Sequence, residues 1–152
     1  MKFVKIMFVA CVISILMSTA AFAGSGKAIM PHWLAQHNGH QNIQSSLIFI
    51  SNITQHDLTV KITVYNKDGS VKIQGLEFDN FQNNNTEIGA GKSVEYRIKW
   101  DQISNKSSFG YAVIEWENKN YDDDVVGLVA WGRWAETGSK GYAVEINNGQ
   151  PF

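Results

Sequence analysis

The sequence predicts an all-β protein, a single antiparallel β-sandwich of seven to eight strands. Three observations carry that expectation. Apolar and polar residues alternate with period two in several stretches, no stretch shows helical periodicity, and turn-forming residues separate the stretches at roughly even spacing. The length, 152 residues, is that of one domain.

Met1–Ala23 reads as an export signal. Lys2 and Lys5 open it, an apolar stretch from Ile6 to Met17 follows, and Ala21-Phe22-Ala23 fits the small-x-small cleavage rule. The stretch is too short for a comfortable membrane span, and no other is long and apolar enough to be one. The expected mature domain is 24–152, in a bacterial periplasm or at the cell surface. Loss of two lysines and no acid takes the formal charge from −1 to −3. That is mildly acidic and speaks against nucleic-acid binding, which needs a basic face. The single cysteine, Cys11, lies in the signal, so the mature chain has no disulfide, no thiolate nucleophile and no Cys-ligated zinc.

The elements follow in order. His32, His37 and His40 sit in a stretch with Gly39 and Asn/Gln neighbours that reads as a loop of solvated histidines rather than a metal platform. Leu47–Ile50 is apolar on both faces, as a central strand would be. Asn52–Asp57 connects it to Leu58, Val60, Ile62 and Val64, which alternate with Thr59, Lys61, Thr63 and Tyr65. Asp68-Gly69 is a hairpin signal, and Asn80–Asn85 an asparagine-rich loop. Val94, Tyr96, Ile98 and Trp100 alternate with Glu95, Arg97 and Lys99. Tyr111–Trp116 and Val125–Trp131 are again apolar on both faces, and Tyr142, Val144 and Ile146 alternate with Ala143 and Glu145. Leu47, Phe49, Leu58, Val60, Ile62, Val64, Val113 and Val144 form the expected core.

The run Ser46–Asn52, then Asp57–Tyr65, then Asp68-Gly69 resembles a pattern of exported bacterial immunoglobulin-like sandwiches: an apolar strand ending in Asn, a Thr/Val-rich strand, and a closing Asp-Gly turn. Over residues 45–70 it also loosely resembles the sensory rhodopsin transducer family, a β-sandwich proposed to bind small molecules or partners. The resemblance implies an immunoglobulin-like arrangement and carries over no functional residue.

Catalytic constellations are sparse. Glu115 and Glu117 leave one strand on the same face, the residue pair a glycoside hydrolase would need. Arg97 and Lys99 share their spacing on the preceding run, so cross-strand ion pairs are the simpler expectation. Asp122, Asp123 and Asp124 fit a solvated turn better than a calcium loop. No nucleophile elbow, phosphate loop or zinc-protease motif is present, and no cofactor is expected. The tryptophans say more. In Val129–Trp134, Trp131 shares a face with Arg133, and Trp134 takes the other. One sheet face is core, so one of the two rings belongs to a surface, and Tyr111 and Trp116 repeat the conflict. Gly110 and Gly132 are expected to leave open shelves beside the rings. Trp131, Arg133 and Trp134, with Tyr111 and Glu115, are therefore the candidate recognition residues, because Trp, Tyr and Arg dominate binding hot spots. The expected function is a non-enzymatic module binding a partner protein or glycan. The alternative is an assembly subunit of a surface layer or appendage, and a glycoside hydrolase comes third. A second copy in a homo-oligomer is among the candidate partners.

Overall fold

The computed structural model describes residues 24–37, 43–100, 107–120, 122–136 and 141–152. The expected signal, Met1–Ala23, and His40 lie outside them. Nine strands follow in order: β1 Ser25–His37, β2 Ile43–Asn52, β3 Leu58–Asn66, β4 Leu76–Asp79, β5 Glu87–Ile88, β6 Ser93–Ile98, β7 Ser108–Asn118, β8 Leu128–Glu136 and β9 Gly141–Glu145. One 3-10 turn, Asn147–Gly149, is the only helical element among the described residues.

Every strand pairing is antiparallel. One layer runs β1-β7-β3-β5 and the other β4-β6-β2-β8-β9. β1 belongs to both. Ser25 to Ala35 pair with β7, and Gln36 and His37 pair with the start of β2. The transfer needs a change of course, supplied by a bulge. Met30 faces Ala112 and Trp33 faces Gly110, so Pro31 and His32 together oppose Tyr111. Proline has no N–H to lose at such a place. The bulge also resets the alternation: Ala28 and Met30 enter the core before it, Trp33 and Ala35 after it.

The core lies between the layers. Val60, Val64, Ala112, Ile114 and Trp116 face Ile48, Ile50, Val94, Tyr96, Ile98 and Ala130. Buried polar groups are tied in. Trp33 Nε1 donates to the Tyr65 carbonyl at 2.9 Å, and Trp116 Nε1 to the Phe152 carbonyl at 2.7 Å. Asn52, ending β2, donates from Nδ2 to the carbonyls of His56, Ile88 and Gly89 and accepts on Oδ1 from Thr54. The asparagine-rich loop turns on left-handed backbone: Asn83, Asn84 and Asn85 have φ of 46°, 56° and 66°, a region asparagine tolerates better than most side chains. Asn83 Nδ2 and Lys119 Nζ both reach the buried Glu87 carboxylate, whose pKa they hold below the usual range.

Several expectations need correction. The described residues form nine strands, where seven or eight were expected. His32 and His37 lie in β1 and not in the expected loop, because the bulge breaks the alternation that would have revealed the strand. β4 and β5 are too short to show a period. The run from Val125 becomes strand only at Leu128, and Val125 is 82% exposed. Leu47, Leu58, Val60, Val64 and Val113 are buried as expected. Phe49, Ile62 and Val144 are only half-buried.

Candidate binding face

The outer face of the five-stranded layer is built from alternate residues in register. Its central row runs Asp79–Glu95–Phe49–Trp131–Glu145, and the next runs Glu77–Arg97–Leu47–Arg133–Ala143. Two consequences follow from that register. Leu47 points outward yet is only 8% exposed, because it stands between two arginines whose aliphatic stems cover apolar neighbours. Phe49 and Trp131 are cross-strand neighbours and stack, with ring centroids 4.5 Å apart and planes 16° from parallel. Trp131 remains 50% exposed at the centre of the face.

The charges around this pair are unevenly satisfied. At the β4–β6 end, Arg97 binds Glu95 at 2.7 Å and approaches Glu77 at 3.8 Å, and Lys99 also binds Glu77. At the β8–β9 end, Arg133 and Glu145 are exposed and have no ion-pair partner among the described residues. Arg133 lies over Gly141, where an added Cβ would come 2.9 Å from its Nε.

The five sequence candidates do not form one face. Trp131 and Arg133 share the face just described. Trp134 points to the inner side of the same sheet, stacks on Tyr142 at 5.3 Å, and buries an Nε1 with no hydrogen-bond partner among the described residues. Tyr111 and Glu115 lie across the core, on the outside of the four-stranded layer. There Tyr111 stacks on Tyr65 at 4.8 Å, and Glu115 pairs with Lys27 at 3.4 Å, with Lys61 beside it in register. Ion pairing is therefore the role Glu115 plays, but its partner is Lys27. Arg97 is on β6 and Lys99 just follows it, and β6 does not neighbour β7. The expected glycine shelves are filled: an added Cβ would meet Met30 Cε at 2.8 Å from Gly132 and the Tyr65 carbonyl at 1.8 Å from Gly110.

Phe49 and Glu145 were not among the sequence candidates. The run Leu47–Ile50 is apolar at every position, so its own pattern does not say which parity faces out. The polar residues of like parity to Ile48, namely Gln44, Ser46 and Asn52, point the wrong way. His32 lies near Phe109 and His37 stacks on Trp100. Asp122 and Asp124 instead flank His56: His56 Nδ1 and Asp124 Oδ2 are 2.9 Å apart, and His56 Nε2 lies 3.8 Å from Asp122. That hydrogen bond first, and the Asp122 charge after it, raise the His56 pKa from its usual 6.5. Among the described residues no group of three or more His, Asp or Glu side chains is arranged to hold a metal ion.

No protein-family model matches the chain, and no curated protein matches it. Distant matches among solved structures include the crystal structure of Thermotoga maritima 1070, 14% identical, covering 84% of this chain and 98% of that one with a TM-score of 0.48. They also include the C-terminal domain of the AgI/II polypeptide BspA of Streptococcus agalactiae, 12% identical, with a TM-score of 0.35. That match covers 82% of this chain and about half of the other, 48%.

Proposed function

We propose that this protein is an exported, non-enzymatic binding module that engages a partner protein or glycan through the outer face centred on Trp131. The observation carrying the reading is a half-exposed tryptophan, braced from one side by Phe49 and flanked by Arg133 and Glu145, which have no ion-pair partner among the described residues. A braced aromatic loses little conformational entropy on binding and offers a large apolar area. The nearby charges supply hydrogen bonds whose geometry selects the ligand. The export signal read at Met1–Ala23 supports a place outside the cytoplasm. The lack of a nucleophile, phosphate-loop or zinc-protease motif supports binding rather than catalysis.

A glycan array probed with the wild type and Trp131→Ala tests this. A sugar signal abolished by the substitution supports the glycan arm. A silent array, with cross-linking to a surface protein that is lost in Trp131→Ala, supports the protein arm. Ligand binding that Trp131→Ala leaves intact places the site elsewhere and overturns the reading.

A further inference from the structure

Each layer of a sandwich ends in two edge strands, whose unpaired N–H and C=O groups are a template for another strand. Among the described residues, three of the four edges are blunted. β5 has two residues. β4 has four and carries Glu77 and Asp79 on its outer side. β1 carries Lys27 and a bulge with Pro31. β9 has no proline, lysine or bulge, and its one charge, Glu145, stands at its end: five residues run in regular register with β8, with Tyr142, Ala143 and Val144 at the centre. Tyr142 is 65% exposed.

We infer that β9 pairs antiparallel with β9 of a second copy of this chain, so that the five-stranded layers of two copies become one sheet through a two-fold axis. Charge is what favours a second copy over an unrelated strand. Place Ala143 opposite Ala143 of the second copy. Gly141 then faces Glu145 of the second copy, and both lie on the outer side of the sheet. Gly141 is where Arg133 rests, so the incoming Glu145 arrives beside an arginine that has no ion-pair partner among the described residues. Symmetry repeats the pair, giving two Arg133–Glu145 contacts between copies and opposing no like charges. On the inner side, Tyr142 of each copy meets Val144 of the other. A five-residue seam is small for an interface, so the association is weak and concentration-dependent. It sets the two Trp131 rings on one continuous face, three strand spacings or roughly 14 Å apart across the sheet and four residues, again roughly 14 Å, along it.

Sedimentation equilibrium of the purified protein from about 10 μM to about 1 mM, a range that brackets weak association, is the test. The wild type is expected to move from monomer towards dimer mass. Arg133→Glu and Glu145→Arg should each weaken dimerisation at least tenfold, and the double variant should regain it. A wild type that stays monomeric to about 1 mM overturns the inference. So do single variants that dimerise like the wild type, or a folded double variant that does not recover. Circular dichroism checks that each variant folds. If one does not, amide hydrogen exchange at Tyr142–Val144 in the wild type decides. Slowing at high concentration supports the seam, and unchanged exchange overturns it.

Discussion

On the outside of the four-stranded layer, Tyr111 stacks on Tyr65, and Glu115 stands in register between Lys27 and Lys61. On the outside of the five-stranded layer, Phe49 and Trp131 stack in the same cross-strand way, but their neighbours Arg133 and Glu145 have no ion-pair partner among the described residues. Both faces use aromatic pairs to cover sheet. The first pairs Glu115 with Lys27, although the exposed Glu117 on the same side has no ion-pair partner among the described residues. The second leaves Arg133 and Glu145 open beside a larger exposed ring. In the proposed reading it is therefore the larger exposed ring beside Arg133 and Glu145, and not the stack itself, that sets one face apart from the other.

The comparison can be broken from beneath or sharpened at the surface. The largest effect is expected at Trp33, fully buried and hydrogen-bonded to the Tyr65 carbonyl that underlies the tyrosine face. Trp33→Ala should cost about 3–5 kcal/mol in chemical denaturation, and a loss below about 1 kcal/mol would show that the two layers do not share this core. Next comes Trp131→Ala. It should weaken ligand binding by about 2 kcal/mol or more while stability, measured in parallel, changes by under about 1 kcal/mol. Tyr111→Ala on the other face should leave binding unchanged, and equal losses from both would erase the distinction.

Smaller effects separate the two sides of β2. Ile48→Ala should cost about 2–5 kcal/mol, whereas Phe49→Ala, removing a half-buried outer ring, should cost clearly less, about 1–2 kcal/mol. Reversal of that order would turn the strand over. Glu115→Gln removes an exposed ion pair and should cost only about 0.2–1 kcal/mol, with no change in binding. The least effect is at His56. Its pKa is raised by Asp124 and Asp122, so its contribution to stability is fully present below about pH 6.5 and fades as pH rises through the raised value. An NMR titration should place the His56 midpoint above 6.5 and Asp124→Asn should lower it. An unchanged midpoint would remove Asp124 as the cause.

What the sequence made legible follows from how far each signal reaches. β3 and β6 alternate cleanly because each buries one side and wets the other, and β9 alternates in sequence although nearly all of it is exposed. The opposition of Trp131 and Trp134 was legible for the same reason, since two residues three apart on a strand cannot share a face. β1 was hidden because Pro31 and His32 spend an extra residue at the bulge, and Ala, Gly and Ser positions carry little contrast. The outward aim of Phe49 was hidden because Leu47 needs no polar substitute when two arginine stems cover it. The separation of Tyr111 and Glu115 from Trp131 was beyond reach. It depends on strand order, with β7 between β1 and β3 and β8 between β2 and β9, and neighbour-to-neighbour patterns do not encode order.

That strand order also has a kinetic side. β1 pairs with β7, where Ala28 meets Ile114 across more than 80 residues of chain, and among the described residues it reaches β2 through two residue pairs. A chain presented N-terminus first offers β1 long before its main partner exists, and the loop to be closed is most of the domain. Pairings of such separation put folding in the slow range, about milliseconds to seconds. The first layer cannot assemble until Ser108–Asn118 has emerged, so a chain arriving segment by segment stays open until nearly all of it is present.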